Sequence, residues 1–171
     1  MNFILIRNII NKWRNCTLII RSVKIEDSRE LLPLMDQLGY PQDISSMQKR
    51  LRNCIDSGIY YFLVTEVENH IVALAFFIIY PSCYKDSNRC SLEALIVNKQ
   101  HRLQGIGRKL VKAVEELALE NNCSSISLIS NIHRGKGIIK FYNSLGYLNK
   151  GEAAQIYLRK SLFFSMKNSS T

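Results

Sequence analysis

A chain of 171 residues, 47% hydrophobic and 22% charged, has the length and composition of one ordinary globular domain with a full core, which excludes disordered and fibrous classes. Its 23 Lys and Arg against 14 Asp and Glu give a net charge of +9. That balance favours anionic partners (a polyphosphate cofactor, nucleic acid or an acidic surface) without choosing among them. Five cysteines are an odd number, and none has C-x-x-C spacing, so disulfides and zinc are not expected and a reducing cytoplasm fits best. No apolar run approaches the ~18 residues of a membrane span. Residues 1–7 lack the apolar length and small-residue cleavage site of a secretory signal.

Along the chain, Ile6, Ile9, Ile10 and Trp13 form one apolar stripe, so residues 1–16 read as a short amphipathic helix in front of a domain spanning 17–171. Docking on that domain is the expected use of the stripe. Residues 17–24 are rich in branched side chains and read as a first strand. Acids at Glu26, Asp27 and Glu30 open a helix that carries Leu31, Leu34, Met35 and Leu38 and stops at Gly39 before Pro41. Asp43 or Ser45 caps a second helix bearing Ile44, Met47, Leu51 and Cys54, closed by Gly58. Residues 59–67 and 70–80 are two apolar strands joined across Glu68-Asn69, a hairpin signal. A polar loop at 81–88 leads to a strand at 90–97. A glycine turn and a helix from about Gly105 to Glu120 follow, with Ile106, Leu110, Val114 and Leu117 facing inward. A strand at 124–129, a helix over 136–145 ending at Gly146, and two further strands at about 147–150 and 153–162 complete the pattern. The order β-α-α-β-β-β-α-β-α-β-β makes the chain α+β, with a mixed sheet under packed helices, and not a doubly wound nucleotide-binding sheet.

Chemistry concentrates where the strand at 90–97 enters the glycine turn. The first N–H groups of a helix lack intrahelical partners, and the helix dipole adds positive potential there. Gly105 and Gly107 carry no side chain, so an anion can reach the backbone, and Arg102 and Arg108 add charge at the rim. The turn lacks the G-x-G-x-x-G spacing of dinucleotide binders and the G-K-[ST] of a P-loop.

Three features together resemble the GNAT acetyltransferase superfamily. Arg102-x-x-Gly105-x-Gly107 matches its acetyl-CoA pyrophosphate signature. Glu93-Ala94-Leu95-Ile96-Val97, just before it, is similar to the family's fourth strand. Phe141-Tyr142-Asn143-Ser144-Leu145-Gly146-Tyr147 matches the family's later helix and turn. The resemblance implies an acyl-CoA N-acyltransferase-like fold of three layers (α/β/α). Its central mixed, mostly antiparallel sheet would have about seven strands with about four helices, and strands 4 and 5 would splay apart. It also implies that main-chain groups of Leu95, Ile96 and Val97 bond the pantetheine arm in the manner of an added strand. N–H groups from Leu103, Gln104, Gly105, Ile106, Gly107 and Arg108 would hold the pyrophosphate, with Arg102 alongside. Asn131, on the strand-to-helix connection, is a further candidate contact to the pantetheine. The chain departs from the family pattern at Gly135 and Ile138, where Asn and Ala are common.

Acetyl transfer to an amine needs a deprotonated nucleophile, a stabilised oxyanion and a protonated leaving thiolate. Tyr142 is the candidate acid, because a phenol with an ordinary pKa near 10 lies close to a thiolate's ~8.5. Glu93 is the candidate base: by strict alternation it shares a strand face with Leu95 and Val97, and a half-buried carboxylate there suits proton abstraction. Water is an alternative base; His133, on the strand-to-helix loop, could serve as another but is expected simply to be exposed.

The expected activity is acetyl-CoA-dependent N-acetyl transfer to a primary amine of a small molecule or peptide, by direct transfer in a ternary complex, in a cytoplasmic enzyme similar to small bacterial members of the family. The alternative is a non-catalytic module with the same fold that binds acyl-CoA or acts through partners. No metal, membrane or nucleic-acid partner is expected; a second copy of the chain is a candidate partner through the N-terminal stripe or the late strands. The acceptor would be framed by residues 31–52, the 81–88 loop and the last strands. Asp36, Asp43, Asp56, Glu66 and Asp86 are too scattered to form the carboxylate cluster that a polycation such as an aminoglycoside would want, although that class stays open. The basic excess favours a neutral or acidic small molecule, or a peptide N-terminus.

Overall fold

The computed structural model describes residues 18–129 and 136–147. The chain divides into two compact units, Met1–Asn131 and Ile132–Thr171. The first contains β1 (Leu18–Ser22), α1 (Ser28–Leu38), α2 (Ile44–Asp56), β2 (Tyr60–Val67), β3 (His70–Pro81), β4 (Asn88–Val97), α3 (Ile106–Glu120) and β5 (Cys123–Leu128). The second contains α4 (Lys136–Asn143). These elements follow the expected order. Among the described residues there are five strands and four helices, against the expected seven or so strands and four or so helices. The stretches at 148–150 and 153–162 lie outside the described residues, and Tyr147 is not in a strand. Residues 1–16 also lie outside.

The strands run in the order β1-β2-β3-β4-β5. Pairing is antiparallel from β1 to β4 and parallel between β4 and β5. Glu68 and Asn69 both take positive φ (51° and 64°), the pair that a type I′ hairpin turn requires, so β2 folds directly back on β3. On one face of the sheet, Val64, Leu74 and Ile96 pack with Leu31 and Leu34 of α1 and Met47 and Leu51 of α2. Each fully buried leucine there contributes about 1.5–3 kcal/mol through removal from water. Pro33 sits inside α1, where it removes one helical hydrogen bond, yet the buried Leu31 and Leu34 on either side keep the helix running. α3 packs on β2, β3, β4 and β5. None of its buried residues joins the α1–α2 cluster, so it covers the opposite face, beneath Phe77, Ala75 and Leu92.

A charged network ties the near edge together. Arg21 on β1 donates to both carboxylate oxygens of Asp27 (2.7 and 2.9 Å) and to Glu66 on β2 (Nε to Oε1, 2.8 Å), with a second, close ion pair from Nη2 to Glu66. Asp27 also accepts from the Lys24 N–H at 2.6 Å. Burial pushes the Asp27 carboxyl up, but the hydrogen bonds from Arg21 and Lys24 outweigh it and hold the group below the usual carboxylate range.

The register also corrects one sequence expectation. Phe77 pairs with Leu92 and Phe76 with Ala94, which leaves Glu93 as an extra residue, a β-bulge. Leu95 pairs with Ala75 and Val97 with Ala73, on the α3 side of the sheet. Ser91 pairs with Ile78 on the other side, and its hydroxyl donates to Glu93 Oε1 at 2.6 Å. Glu93 therefore stands with Ser91 and not with Leu95 and Val97. It is exposed rather than half-buried. Strict alternation fails here because the inserted residue shifts the phase of everything after it.

Candidate active site

β4 is paired on both sides only in its first half. The last β4–β5 partners are Leu92 and Leu128, and β5 ends there. Past that point β3 still holds one edge of β4, while the other edge, over residues 93–97, has no strand beside it among the described residues. The splay expected between strands 4 and 5 would leave this same edge open. Its alternating N–H and C=O groups are available to an extended, amide-bearing ligand.

The chain then turns sharply, and long-range contacts hold the turn. Asn98 N–H donates to Val72 O (2.8 Å), and its side chain accepts from Gln100 N–H (3.1 Å). Lys99 N–H donates to Gln37 Oε1 (2.9 Å), so α1 braces the start of the loop. The exposed Arg102 folds back, its Nε donating to Val97 O at 3.0 Å. One carbonyl expected to face the pantetheine thus already accepts from the signature arginine, which links strand end and turn. Leu103, wholly exposed, takes φ 63°, a left-handed conformation that costs a non-glycine residue about 1 kcal/mol.

Gly105 follows with φ 78° and is the N-cap of α3. No side chain caps the helix, so its first N–H groups stay directed outward. A Cβ built on Gly105 meets nothing within 4 Å, so the surface in front of the turn is open. Ile106 anchors the turn from beneath, buried at 3% exposure, while Gln104 and Arg108 are exposed and Gly107 is half-buried. An open strand edge running into an uncapped, cation-rimmed helix start suits an elongated ligand with amides at one end and a diphosphate further along. These residues fit acetyl-CoA.

The two catalytic candidates fall in different units. Glu93 belongs to the first unit, on the bulge at the mouth of the open edge. Tyr142 belongs to the second, where the geometry explains its motif. Gly146 takes φ 87°, Tyr147 N–H donates to Tyr142 O (3.0 Å) and Gly146 N–H to Asn143 O (3.0 Å). Together these make a Schellman cap. The Tyr142 and Tyr147 rings meet edge-on at 5.6 Å, the apolar contact that such caps favour, and Phe141 meets Tyr142 at 5.0 Å. The buried Tyr142 ring is thereby held in one orientation. Asn131, His133 and Gly135 lie outside the described residues.

Two participants escaped the sequence reading. Gln37 braces the turn across 62 residues of sequence, a separation that leaves no local signal. Ser91 orients Glu93, and its position two residues before a strand carboxylate was the available clue. Among the described residues, no helix is long and apolar enough to cross a membrane, and no cluster of three or more His, Cys, Asp or Glu could hold a metal ion.

Comparison with known proteins agrees with this geometry. A family model described as Acetyltransferase (GNAT) family matches residues 28–147. The chain is 27% identical over 149 residues to a thialysine N-epsilon-acetyltransferase of Bos taurus, covering 79% of this chain and 86% of that protein. It is 31% identical over 135 residues to a probable glucosamine 6-phosphate N-acetyltransferase of Drosophila melanogaster, covering 75% of this chain and 60% of that protein. Among solved structures, a GNAT family acetyltransferase of Staphylococcus aureus superposes with a TM-score of 0.71 at 25% identity, over 85% of this chain and 99% of that one.

Proposed function

The chain belongs to the GNAT acetyltransferase family, and on that premise we propose that it moves an acetyl group from acetyl-CoA to a primary amine of a small molecule or peptide within a ternary complex. The observation that carries this reading is the β4 edge over residues 93–97, which past the end of β5 at Leu128 has no strand beside it among the described residues and runs straight into the Gly105-capped start of α3. The family uses acetyl-CoA as co-substrate and includes relatives named for amine acceptors, thialysine and glucosamine 6-phosphate.

Main-chain groups of Leu95, Ile96 and Val97 would hold the pantetheine arm along the open edge. N–H groups from Leu103 to Arg108 would hold the pyrophosphate, with the Arg102 and Arg108 guanidiniums neutralising its charge. Bound there, acetyl-CoA supplies an acetyl thioester whose transfer to the amine leaves a free thiol. Glu93, directly or through water, takes the proton that the acceptor ammonium must lose before its nitrogen can form the new C–N bond. The Ser91 hydroxyl, donating to Oε1, leaves Oε2 of Glu93 to face the amine. Tyr142 Oη gives a proton to the sulfur as the C–S bond breaks, and the second proton that the nitrogen loses on becoming an amide returns to Tyr142 through water. The support for this last role is the tyrosine's motif position and the rigid cap that orients its ring.

Calorimetric titration with acetyl-CoA tests the reading. The wild type should bind, and Gly107→Glu, which sets a carboxylate where the pyrophosphate lies, should not. Failure of the wild type to bind, or equal binding by Gly107→Glu, would overturn it. Binding without thiol release across a panel of amines would leave a binding module and not an enzyme.

A further inference from the structure

The sheet face that α1 and α2 cover around Val64, Leu74 and Ile96 continues past those helices toward the start of β4. There Phe76 stacks between Tyr60 (5.5 Å, 24°) and Phe62 (4.7 Å, 10°), and all three rings stay half-buried. Beside this row, β4 presents Arg89, Ser91 and Glu93. The register pairs Arg89 with Tyr80 and Ser91 with Ile78, on the side opposite the buried Cys90 and Leu92. The Ser91–Glu93 hydrogen bond brings the carboxylate to that same side. The Arg89 guanidinium carbon lies 5.2 Å from the Tyr84 ring centroid, so a cation–π contact holds it over the 81–88 loop. Among the described residues, Arg89 and Glu93 do not pair with each other. One half-exposed face thus carries a fixed anion, a row of stacked rings and a fixed cation.

We propose that this face receives the acceptor, and that the acceptor is an amine bearing a carboxylate several bonds from its nitrogen. This rests on the reading of Glu93 as the group that meets the reacting amine. Glu93 takes the ammonium end, Ile78 and its cross-strand neighbour Tyr60 cover the chain between the charges, and Arg89 takes the carboxylate. At a strand rise of ~3.3 Å per residue, the backbones of Arg89 and Glu93 stand up to about 13 Å apart. An α-amino acid with both charges on one carbon cannot meet both residues; an amine and a carboxylate separated by five methylenes can. A guanidinium held on an aromatic face is well suited to a carboxylate, and the chain's net charge of +9 draws anionic substrates toward it.

The test measures kcat/KM with acetyl-CoA for 6-aminohexanoate, the neutral 6-aminohexan-1-ol and glycine, in the wild type and in Arg89→Gln, Arg89→Lys and Lys112→Gln. Lys112 is an exposed cation on α3, which packs on the other face. The wild type should prefer the aminocarboxylate over the amino alcohol by roughly tenfold, the size of one charge-assisted hydrogen bond, chiefly in KM. Glycine should be the poorest acceptor. The preference should collapse toward one in Arg89→Gln, survive largely in Arg89→Lys and persist in Lys112→Gln. Absence of the preference in the wild type, its survival in Arg89→Gln, or its equal loss in Lys112→Gln would each overturn the assignment. Turnover of both long amines without preference refutes this inference alone; turnover of no amine refutes the proposed function and this inference with it.

Discussion

Asp27→Asn probes the network that locks β1 and β2 to the start of α1. The wild-type carboxylate accepts from both Nη atoms of Arg21 (2.7 and 2.9 Å) and from Lys24 N–H (2.6 Å), with the two side chains 9% and 17% exposed. Asparagine keeps the shape, but it loses the charge and turns an amide donor toward guanidinium donors. Breaking a fully buried ion pair costs about 3–5 kcal/mol. Here Arg21 keeps Glu66 and some contact with water, so the expected loss is about 2–3 kcal/mol. For a chain of this length that lowers Tm by about 5–10 °C at neutral pH. Thermal unfolding followed by circular dichroism, repeated from pH 7 to pH 3, measures both size and sign. The folded carboxyl lies below its unfolded value of about 3.9, so its stabilisation is complete above that value and is lost as pH falls through the folded one. The Tm gap between wild type and variant should therefore narrow below about pH 4. A gap under about 2 °C at pH 7, or one that stays constant on acidification, would refute the reasoning.

Two further predictions concern the Schellman cap. Tyr142→Phe keeps the edge-on contacts with Phe141 and Tyr147 but removes the hydroxyl, so kcat should fall by about 10²-fold with acetyl-CoA affinity nearly unchanged; equal turnover would remove Tyr142 from the mechanism. Gly146→Ala forces a Cβ into the left-handed region at φ 87° and should cost about 1 kcal/mol in thermal unfolding, with Gly146→Asn recovering much of it. An alanine variant as stable as the wild type would show that the cap tolerates another conformation.

Local chemistry was legible without coordinates. The Glu68-Asn69 turn, the apolar faces of α1, α2 and α3, and the glycine turn after β4 all depend on residues within a few positions of one another, so spacing and residue type suffice. The same holds for the Phe141–Tyr147 cap, which closes within seven residues. The open edge of β4, the bulge at Glu93, the Gln37 brace and the Arg21–Asp27–Glu66 network each depend on which distant segment lies alongside. Glu93 shows the difference most clearly. Alternation put it with Leu95 and Val97, because a two-residue period assumes unbroken pairing. Only pairing with β3 introduces the extra residue that turns it toward Ser91 and the aromatic face. The amino-acid sequence therefore determined the glycine turn after β4, which short-range backbone geometry builds. The tertiary structure decided which side of the sheet the candidate base faces, because strand register is a property of two segments and not of one.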